Sequence, residues 1–191
     1  APALLSTGPL RAPKAGESTI YVDGLELIGS ESNPVYAKGI NGLEIGGDEN
    51  NYNVKWNGST LILRNISHSE SQSEFISYEE NKPLTVVLNG SNYITSSAGL
   101  MRGIEVNGDL TIRGGDGDAS LSFGNVAVLG YSVKVQGTLT IESGTLSTYG
   151  AVSVAGDLIV NDGYFITYDK ECNVDNSFIV NGGVVNMLGR N

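Results

Sequence analysis

The sequence predicts an all-β protein, a right-handed, single-stranded parallel β-helix (a solenoid) of about eight coils of roughly 18–29 residues each. Three observations support this fold. Pairs of apolar residues separated by one residue recur along the chain, glycines follow the later pairs at a constant distance, and the composition favours turns over helices. The chain has 26 glycines among 191 residues, about twice the average frequency.

The apolar pairs are the unit of the repeat. Because side chains alternate across a strand, each pair marks two residues on the buried face of one short strand. The first members lie between 18 and 29 residues apart, and the pairs are Leu25/Leu27, Leu43/Ile45, Leu61/Leu63, Leu84/Val86, Leu110/Ile112, Leu139/Ile141, Leu158/Val160 and Phe178/Val180.

Glycines mark a turn after the later pairs. Five residues after the first member of each pair stand Gly115, Gly144, Gly163 and Gly183. Glycine adopts a positive φ without strain, which predicts a tight turn there. An apolar residue two positions later begins a further strand, so a coil contains about three strands that pair in parallel with their equivalents in the next coil, with right-handed crossovers. The longer central spacings predict inserted loops near 69–82 and 114–131.

The domain organisation follows from the extent of the repeat. Residues 1–18, which include three prolines, are expected to form a flexible leader or linker, and residues 19–191 a single β-helix domain. Segment 19–58 is less regular and is predicted to form imperfect N-terminal coils or a cap, with Trp56 in the core. A β-sandwich or jelly roll also contains many short strands, but it does not predict glycines aligned at a regular period.

The charge distribution limits the classes of partner that the chain can bind. The net charge is −10 and the 11 basic residues are scattered, which disfavours nucleic acids and anionic membranes. No apolar stretch is long enough for a transmembrane helix. One cysteine allows no intrachain disulfide. We expect a mature chain, secreted or on a bacterial cell surface, from which a signal peptide has been removed.

Catalytic motifs are weak in this sequence. The single histidine, His68, lies in Ile66-Ser-His-Ser without the partners of a known catalytic motif, and is expected to be an exposed loop residue. The expectation is therefore a non-enzymatic protein, with a degenerate polysaccharide lyase or hydrolase as the remaining enzymatic alternative.

Calcium is the cofactor that the sequence allows. Hard cations prefer carboxylate and carbonyl oxygens. Two Gly-Gly-Asp segments offer them, and the candidate ligands are Asp48, Glu49, Asp116 and Asp118. The alternative is that these carboxylates belong to ordinary exposed turns.

Tyrosines form the candidate binding surface. Tyr149 and Tyr168 occupy the same position of successive coils, ten residues after Leu139 and Leu158. Strand alternation places both on the outer side or at a corner. Tyr131 lies 18 residues before Tyr149 and is predicted to extend the row. Such rings could pack against sugar faces while their hydroxyls form hydrogen bonds, or they could merely cover the sheet.

Four segments carry a family resemblance. They are Val22-Asp-Gly-Leu-Glu-Leu, Trp56-Asn-Gly-Ser-Thr-Leu-Ile-Leu-Arg-Asn, Leu84-Thr-Val-Val-Leu-Asn-Gly-Ser-Asn-Tyr-Ile and Gly103-Ile-Glu-Val-Asn-Gly-Asp-Leu-Thr-Ile-Arg-Gly-Gly-Asp-Gly. Over residues 20–190 the chain resembles exported bacterial right-handed parallel β-helix proteins, which are carbohydrate-binding or uncharacterised surface proteins with a polysaccharide-lyase-like fold. The resemblance implies an exported surface protein and is compatible with binding acidic or plant polysaccharide with calcium.

Three functional hypotheses follow. The first is a non-catalytic module that binds a polysaccharide or a host or bacterial surface glycan through Tyr131, Tyr149 and Tyr168. The second is a structural or adhesin-like surface scaffold with a protein partner, including end-to-end association of the solenoid. The third is the degenerate lyase or hydrolase.

Overall fold

A computed structural model describes residues 12–69, 74–95, 102–124, 130–168 and 171–188. These residues form strands, turns and no helix. The strands of the N-terminal part are β1 (Ser18–Val22), β2 (Leu25–Gly29), β3 (Val35–Lys38), β4 (Glu44–Ile45), β5 (Val54–Trp56), β6 (Thr60–Arg64) and β7 (Ser67–His68).

The strands that follow are shorter than seven residues throughout. They are β8 (Ile76–Tyr78), β9 (Leu84–Asn89), β10 (Ser91–Thr95), β11 (Ile104–Val106), β12 (Leu110–Gly114), β13 (Ser120–Gly124), β14 (Tyr131–Val135), β15 (Leu139–Ile141), β16 (Thr145–Thr148), β17 (Ala151–Val154), β18 (Leu158–Val160), β19 (Tyr164–Tyr168), β20 (Cys172–Val174), β21 (Phe178–Val180) and β22 (Val184–Leu188).

Three sheets are built largely from every third strand. The first sheet has the order β2-β1-β8-β11-β14-β17-β20, the second β22-β19-β16-β13-β10-β7, and the third β21-β18-β15-β12-β9-β6-β5-β3-β4. From β6 onward each strand pairs in parallel with the strand three elements later. The predicted all-β class with parallel sheets is therefore confirmed, and the arrangement is consistent with a β-solenoid.

The apolar pairs of the third sheet stand in register. The first members align across β9, β12, β15, β18 and β21 as Leu84, Leu110, Leu139, Leu158 and Phe178. All except Phe178 are at most 1% exposed. Burial of apolar surface, at about 25 cal/mol per Å², favours this register, because a slip of one residue would turn every apolar side chain outward.

The N-terminal part differs from a pair of coils. The pair Leu25/Leu27 lies in β2, and Leu43 directly precedes β4, which contains Ile45. Both strands belong to antiparallel pairings, and Ile45 is 57% exposed. Strand β5 also pairs antiparallel with β3 and β6. Alternation of apolar residues has the same period in parallel and antiparallel strands, so the repeat alone could not distinguish them.

Trp56 holds this antiparallel segment to the rest of the core. Its side chain is fully buried, its indole N–H donates a hydrogen bond to the carbonyl of Ser18 (2.9 Å), and its ring meets the Tyr78 ring edge-on. The buried indole therefore has the hydrogen-bond partner that its donor requires.

The two predicted loops contain strands instead. Segment 69–82 includes β8 and segment 114–131 includes β13, whose Leu121 and Phe123 are fully buried. The residues that precede β13 place its apolar pair at a different distance from the preceding pair than in the later coils. The constant spacing therefore does not predict this strand. Residues 70–73 and 125–129 lie outside the described ranges.

Side chains at the turns link one coil to the next. The Asp109 carboxylate accepts the backbone N–H of Thr138 (2.8 Å), and the Asp157 carboxylate accepts that of Ser177 (3.0 Å). The side-chain amide of Asn181 donates to Asn161 (2.8 Å). These contacts satisfy polar groups that the turns would otherwise leave unpaired.

The glycine turns give the first prediction. Gly163 has φ +114°, and a Cβ at this position would lie 2.4 Å from the carbonyl oxygen of Gly144. We expect Gly163→Ala to lower the free energy of unfolding by about 2 kcal/mol or more, measured by urea denaturation. Gly117→Ala is the matched control, since a Cβ there meets no atom within 4 Å. Equal losses in the two variants would contradict the turn geometry.

Candidate functional site

The outer surface of the second sheet is uncharged. Strands β10, β13, β16 and β19 contain no charged residue, although the chain carries a net charge of −10. Most of their apolar residues alternate inward, and serines, threonines, tyrosines and Ile166 occupy the outer positions. We call this surface the tyrosine face, defined by Tyr93, Tyr149, Tyr164 and Tyr168.

Tyr149 and Tyr168 form a stacked pair at one side of the tyrosine face. Their ring centroids are 4.4 Å apart and the ring planes differ by 16°. The preceding residues, Thr148 and Thr167, are register partners. Because neighbouring strands lie ~4.8 Å apart, residues in register hold the two rings at stacking distance. The structure thus brings together the two tyrosines that the sequence assigned to one coil position.

The stack determines which ring surfaces a ligand could reach. At 4.4 Å the two facing surfaces are in contact with each other, so a sugar ring cannot enter between them. The ring edges, the hydroxyls and the outward faces of the pair stay accessible, and Tyr149 is 45% exposed. The pair is therefore a ledge against which a ligand could lie, with two hydroxyls at its edge.

Tyr131 lies outside this row. It is the first residue of β14 in the first sheet, where its register partner is Ala151, two residues beyond Tyr149. The register of β14 and β17 shifts between Tyr131 and Val133. Tyr131 was predicted to extend the row because it lies 18 residues before Tyr149. It is not in register with the stacked pair. Its side chain is 38% exposed.

Tyr93 and Tyr164 are members of the face that the sequence argument missed. They are 45% and 51% exposed. Tyr93 reaches across to β13, where a Cβ on Gly124 would lie 2.3 Å from the Tyr93 hydroxyl. Tyr164 begins β19, four residues before Tyr168. Alternation with the inward residues of each strand is the signal that could have found both.

Hydroxyl groups lie between the tyrosines. The Ser122 and Ser147 hydroxyls are 2.8 Å apart, on neighbouring strands β13 and β16. The Ser91 and Ser120 hydroxyls form a longer contact of 3.5 Å. The face therefore combines aromatic side chains with groups that both donate and accept hydrogen bonds.

A groove of about 440 Å³ borders the tyrosine face at Tyr164. Its floor includes Gly114, Gly144 and Gly163, which have no side chains to fill it. The lining also includes Asp116, Asp118 and Asp162. The groove lies at the turn between the third and second sheets, beside one end of the face.

The predicted calcium ligands lie on two separate turns. Both carboxylate oxygens of Asp116 accept the backbone N–H of Gly90, at 3.0 and 2.9 Å. Asp118 is exposed in the groove. On the other turn, the Asp48 carboxylate accepts the backbone N–H of Asn50 (2.9 Å). Asp116 is thus bonded to the preceding coil, and Asp48 to a residue of its own turn.

Glu49 already has a cationic partner. The Lys55 ammonium donates to its two carboxylate oxygens at 2.9 and 2.6 Å, and the Tyr36 hydroxyl donates at 2.5 Å. The hydrogen bond from Lys55, followed by that from Tyr36, lowers the pKa of Glu49. Within the described ranges, no three or more His, Cys, Asp or Glu side chains are grouped so that they could hold a metal ion.

His68 is buried, contrary to the expectation of an exposed loop residue. It lies in β7 opposite Ile94, at an inward position, and is 6% exposed. Its Nδ1 accepts the backbone N–H of Gly42 (3.0 Å), and its Nε2 lies 3.2 Å from a carboxylate oxygen of Asp23. These contacts fix the imidazole within the structure, next to the Phe75 ring.

The first sheet, in contrast, has a charged outer surface. Glu105 accepts hydrogen bonds from Lys134 (2.8 Å) and Arg102 (3.0 Å), and Arg102 also reaches Glu74 (3.3 Å). The Lys134 hydrogen bond is the main cause of the lowered pKa of Glu105, which burial partly opposes. The charged side chains Glu74, Arg102, Glu105 and Lys134 of this surface form ion pairs with one another, whereas the strands of the tyrosine face contain no charged residue.

Comparison of the chain with protein-family models, with curated proteins and with solved structures finds no match. Among the described residues there is no helix of the length and apolar character that a membrane crossing requires.

Glu105 gives a pH-dependent prediction. Its pKa in the folded protein is below that in the unfolded chain, so it stabilises the fold above an unfolded pKa of about 4.3, and this contribution is lost as the pH falls through the lowered folded value. We expect Glu105→Gln to reduce stability at neutral pH by about 0.5–1 kcal/mol.

The wild type should therefore lose its advantage over Glu105→Gln between about pH 5 and pH 3, as measured by thermal unfolding. Glu31→Gln is the control, since Glu31 is exposed and forms no ion pair with any residue that the structure describes. A stability difference between wild type and Glu105→Gln that is independent of pH would refute this role of the Lys134 and Arg102 contacts.

Proposed function

We propose that this chain is a right-handed parallel β-helix that binds a polysaccharide on its tyrosine face without cleaving it. The pairing of every third strand in parallel supports the solenoid, and parallel crossovers are right-handed in nearly all proteins. The six apolar pairs from Leu61/Leu63 to Phe178/Val180 then belong to its coils. The observation that carries the binding proposal is the stacked pair of Tyr149, which is exposed, and Tyr168, which is half-buried.

The chemistry of the face supports a neutral glycan. A sugar ring presents C–H groups on its faces and hydroxyls at its rim. Tyrosines offer apolar contact together with a hydroxyl at the ring edge, and Ser122 and Ser147 add further hydrogen-bonding groups between them. The absence of charged residues from β10, β13, β16 and β19 favours an uncharged partner over an acidic polysaccharide.

The extent of the face supports a polymer. Tyr164 and Tyr168 stand at the two ends of β19, about 13 Å apart at the rise of a strand. Tyr93 lies three strands away from them in the order of the second sheet. These separations exceed one sugar ring, and the groove beside Tyr164 has room for a ring or a branch.

Non-enzymatic binding is supported by the positions of the titratable groups. His68 is held in buried contacts with Gly42 and Asp23 on the inner side of the second sheet, whose outer side is the tyrosine face. Export to a bacterial surface is proposed on the family resemblance. The alternative of a surface scaffold with a protein partner is favoured by one observation, the exposed apolar side chains of β21 and β22.

The experiment is a titration of the purified chain with soluble neutral polysaccharides and with polygalacturonate. We expect Tyr149→Ala/Tyr168→Ala to weaken binding to a neutral polysaccharide at least tenfold, corresponding to about 1.4 kcal/mol or more, because the ledge is removed. Tyr131→Ala, which is on the first sheet and out of register with the pair, should bind as the wild type does. Circular dichroism checks that each variant is folded.

Other outcomes would change the proposal. Wild-type affinity in the double variant would mean that the stacked pair is not the binding site. An equal loss of affinity in Tyr131→Ala would mean that Tyr131 belongs to the binding site together with Tyr149 and Tyr168. New reducing or unsaturated sugar ends after incubation would show the degenerate lyase or hydrolase, and binding to polygalacturonate alone would exclude a neutral ligand.

Calcium is a separate proposal within the same titration. The candidate ligands that lie beside the tyrosine face are Asp116 and Asp118 in the groove, whereas Glu49 is paired with Lys55. Weaker glycan binding in the presence of chelator, reproduced by Asp118→Asn with calcium present, would support a bridging ion. Unchanged affinity in chelator would remove calcium from the account.

A further inference from the structure

Gly124 stands at an outward position of β13 and is nevertheless buried. The preceding Phe123 is fully buried in the core, so strand alternation directs residue 124 to the outer side of the second sheet. A glycine there has no side chain to cover its own backbone, yet Gly124 is buried. Its burial therefore comes from a neighbouring part of the chain.

Tyr93 is the described side chain that lies over Gly124. A Cβ at position 124 would lie within 3.0 Å of the hydroxyl oxygen and two ring carbons of Tyr93. The register partner of Tyr93 is Ser122, so the ring leans across β13 to a residue two positions further along. A side chain that stood perpendicular to the sheet would not reach this residue. Tyr93 therefore lies along the surface of the sheet, and 45% of it is exposed.

This conformation brings Tyr93 next to the stacked pair. Gly124 and Tyr149 directly follow two register partners, on β13 and β16, and are therefore neighbours across the sheet. Tyr149 in turn stacks on Tyr168, on β19. The hydroxyl end of Tyr93 and the two stacked rings thus occupy three successive positions across the second sheet.

We propose that Tyr93 is a further sugar-binding residue and that Gly124 positions it. Together with the stacked pair it forms a straight row, the tyrosine row (Tyr93, Tyr149 and Tyr168), which binds an extended, unbranched neutral glycan. The assignment rests on the binding function proposed for the tyrosine face, and it specifies the class of glycan and the direction in which the glycan lies.

The shape of the row selects an extended chain. From β10 to β19 the row crosses three strand spacings, about 14 Å in all. A β-1,4-linked glucan is a straight chain that can touch all three rings, whereas an α-1,4-linked glucan coils and leaves the line of the row. The small side chains of Ser122 and Ser147 lie on the neighbouring outer positions, so they leave room for a straight chain and offer it hydroxyl groups.

Gly124→Ala separates the position of the Tyr93 ring from its presence. The φ of Gly124 is not positive, and the described atoms nearest to the new methyl group belong to the far end of a flexible side chain. The ring must therefore move, while the backbone can keep its conformation. We expect Gly124→Ala to weaken binding of cellohexaose roughly fivefold or more, as Tyr93→Ala does. Gly117→Ala is the matched control, since a Cβ there meets no atom within 4 Å.

The test is a calorimetric titration of the intact chain with cellohexaose and with maltohexaose, which share their sugar and length and differ in linkage. We expect the wild type to bind cellohexaose about tenfold more tightly or better. In the Tyr93→Ala background, Gly124→Ala should cause no further loss of affinity, because both changes remove the same contact. A purely structural role of Gly124 would instead lower the affinity in both backgrounds.

A second measurement follows the ring itself. Nuclear Overhauser contacts between the Tyr93 ring protons and the α protons of Gly124 should be present in the wild type and be lost in Gly124→Ala, with an unchanged circular dichroism spectrum. Wild-type affinity for cellohexaose in both Tyr93→Ala and Gly124→Ala would overturn this assignment and leave the stacked pair as the site, as would equal affinity for maltohexaose. A wild type that binds no neutral glycan would overturn the proposed function itself.

Discussion

Hydrogen bonding between each strand and the strand three elements later is the constraint on which the rest of the structure depends. The backbone N–H of Leu110 donates to Thr138 (2.8 Å), that of Leu139 to Asp157 (2.9 Å) and that of Leu158 to Ser177 (2.9 Å). Because buried main-chain groups must be paired, these bonds fix the spacing and the register of the coils. The register then places leucine on leucine in the core and Tyr149 on Tyr168 outside it.

The same constraint explains how much could be predicted from the sequence. Apolar pairs at a recurring spacing are visible in the sequence, and the strands of the third sheet from β6 onward, the turn at Gly163 and the Tyr149–Tyr168 pair follow from them. Strands β8 and β13 do not follow, because they lie in segments whose longer spacing predicted loops. The antiparallel N-terminal strands could not be recognised, because alternation has one period in both pairings. Tyr131 was misplaced because it begins β14 of the first sheet, whereas the stacked pair belongs to the second sheet.

The remaining differences arise from contacts between residues far apart in sequence. His68 is buried because β7 pairs with β10, a strand 26 residues further on. The two turns proposed for calcium are separated because Asp48 and Glu49 belong to the antiparallel N-terminal part, whereas Asp116 belongs to a later coil and reaches back to Gly90. The surfaces are nonetheless partitioned in an orderly way: paired ions on the first sheet, tyrosines and hydroxyls on the second, and apolar side chains at the last strands.

The measurement that tests the central claim most directly is the register of neighbouring coils in solution. Nuclear Overhauser contacts between backbone protons should connect Leu139 both to Leu110 and to Leu158, in the pattern of parallel strands. The ring protons of Tyr149 and Tyr168 should show contacts with each other as well. Antiparallel contacts around Leu139, or none between Leu139 and Leu158, would indicate a sandwich of another topology and would contradict both the stacked coils and the tyrosine face built on them.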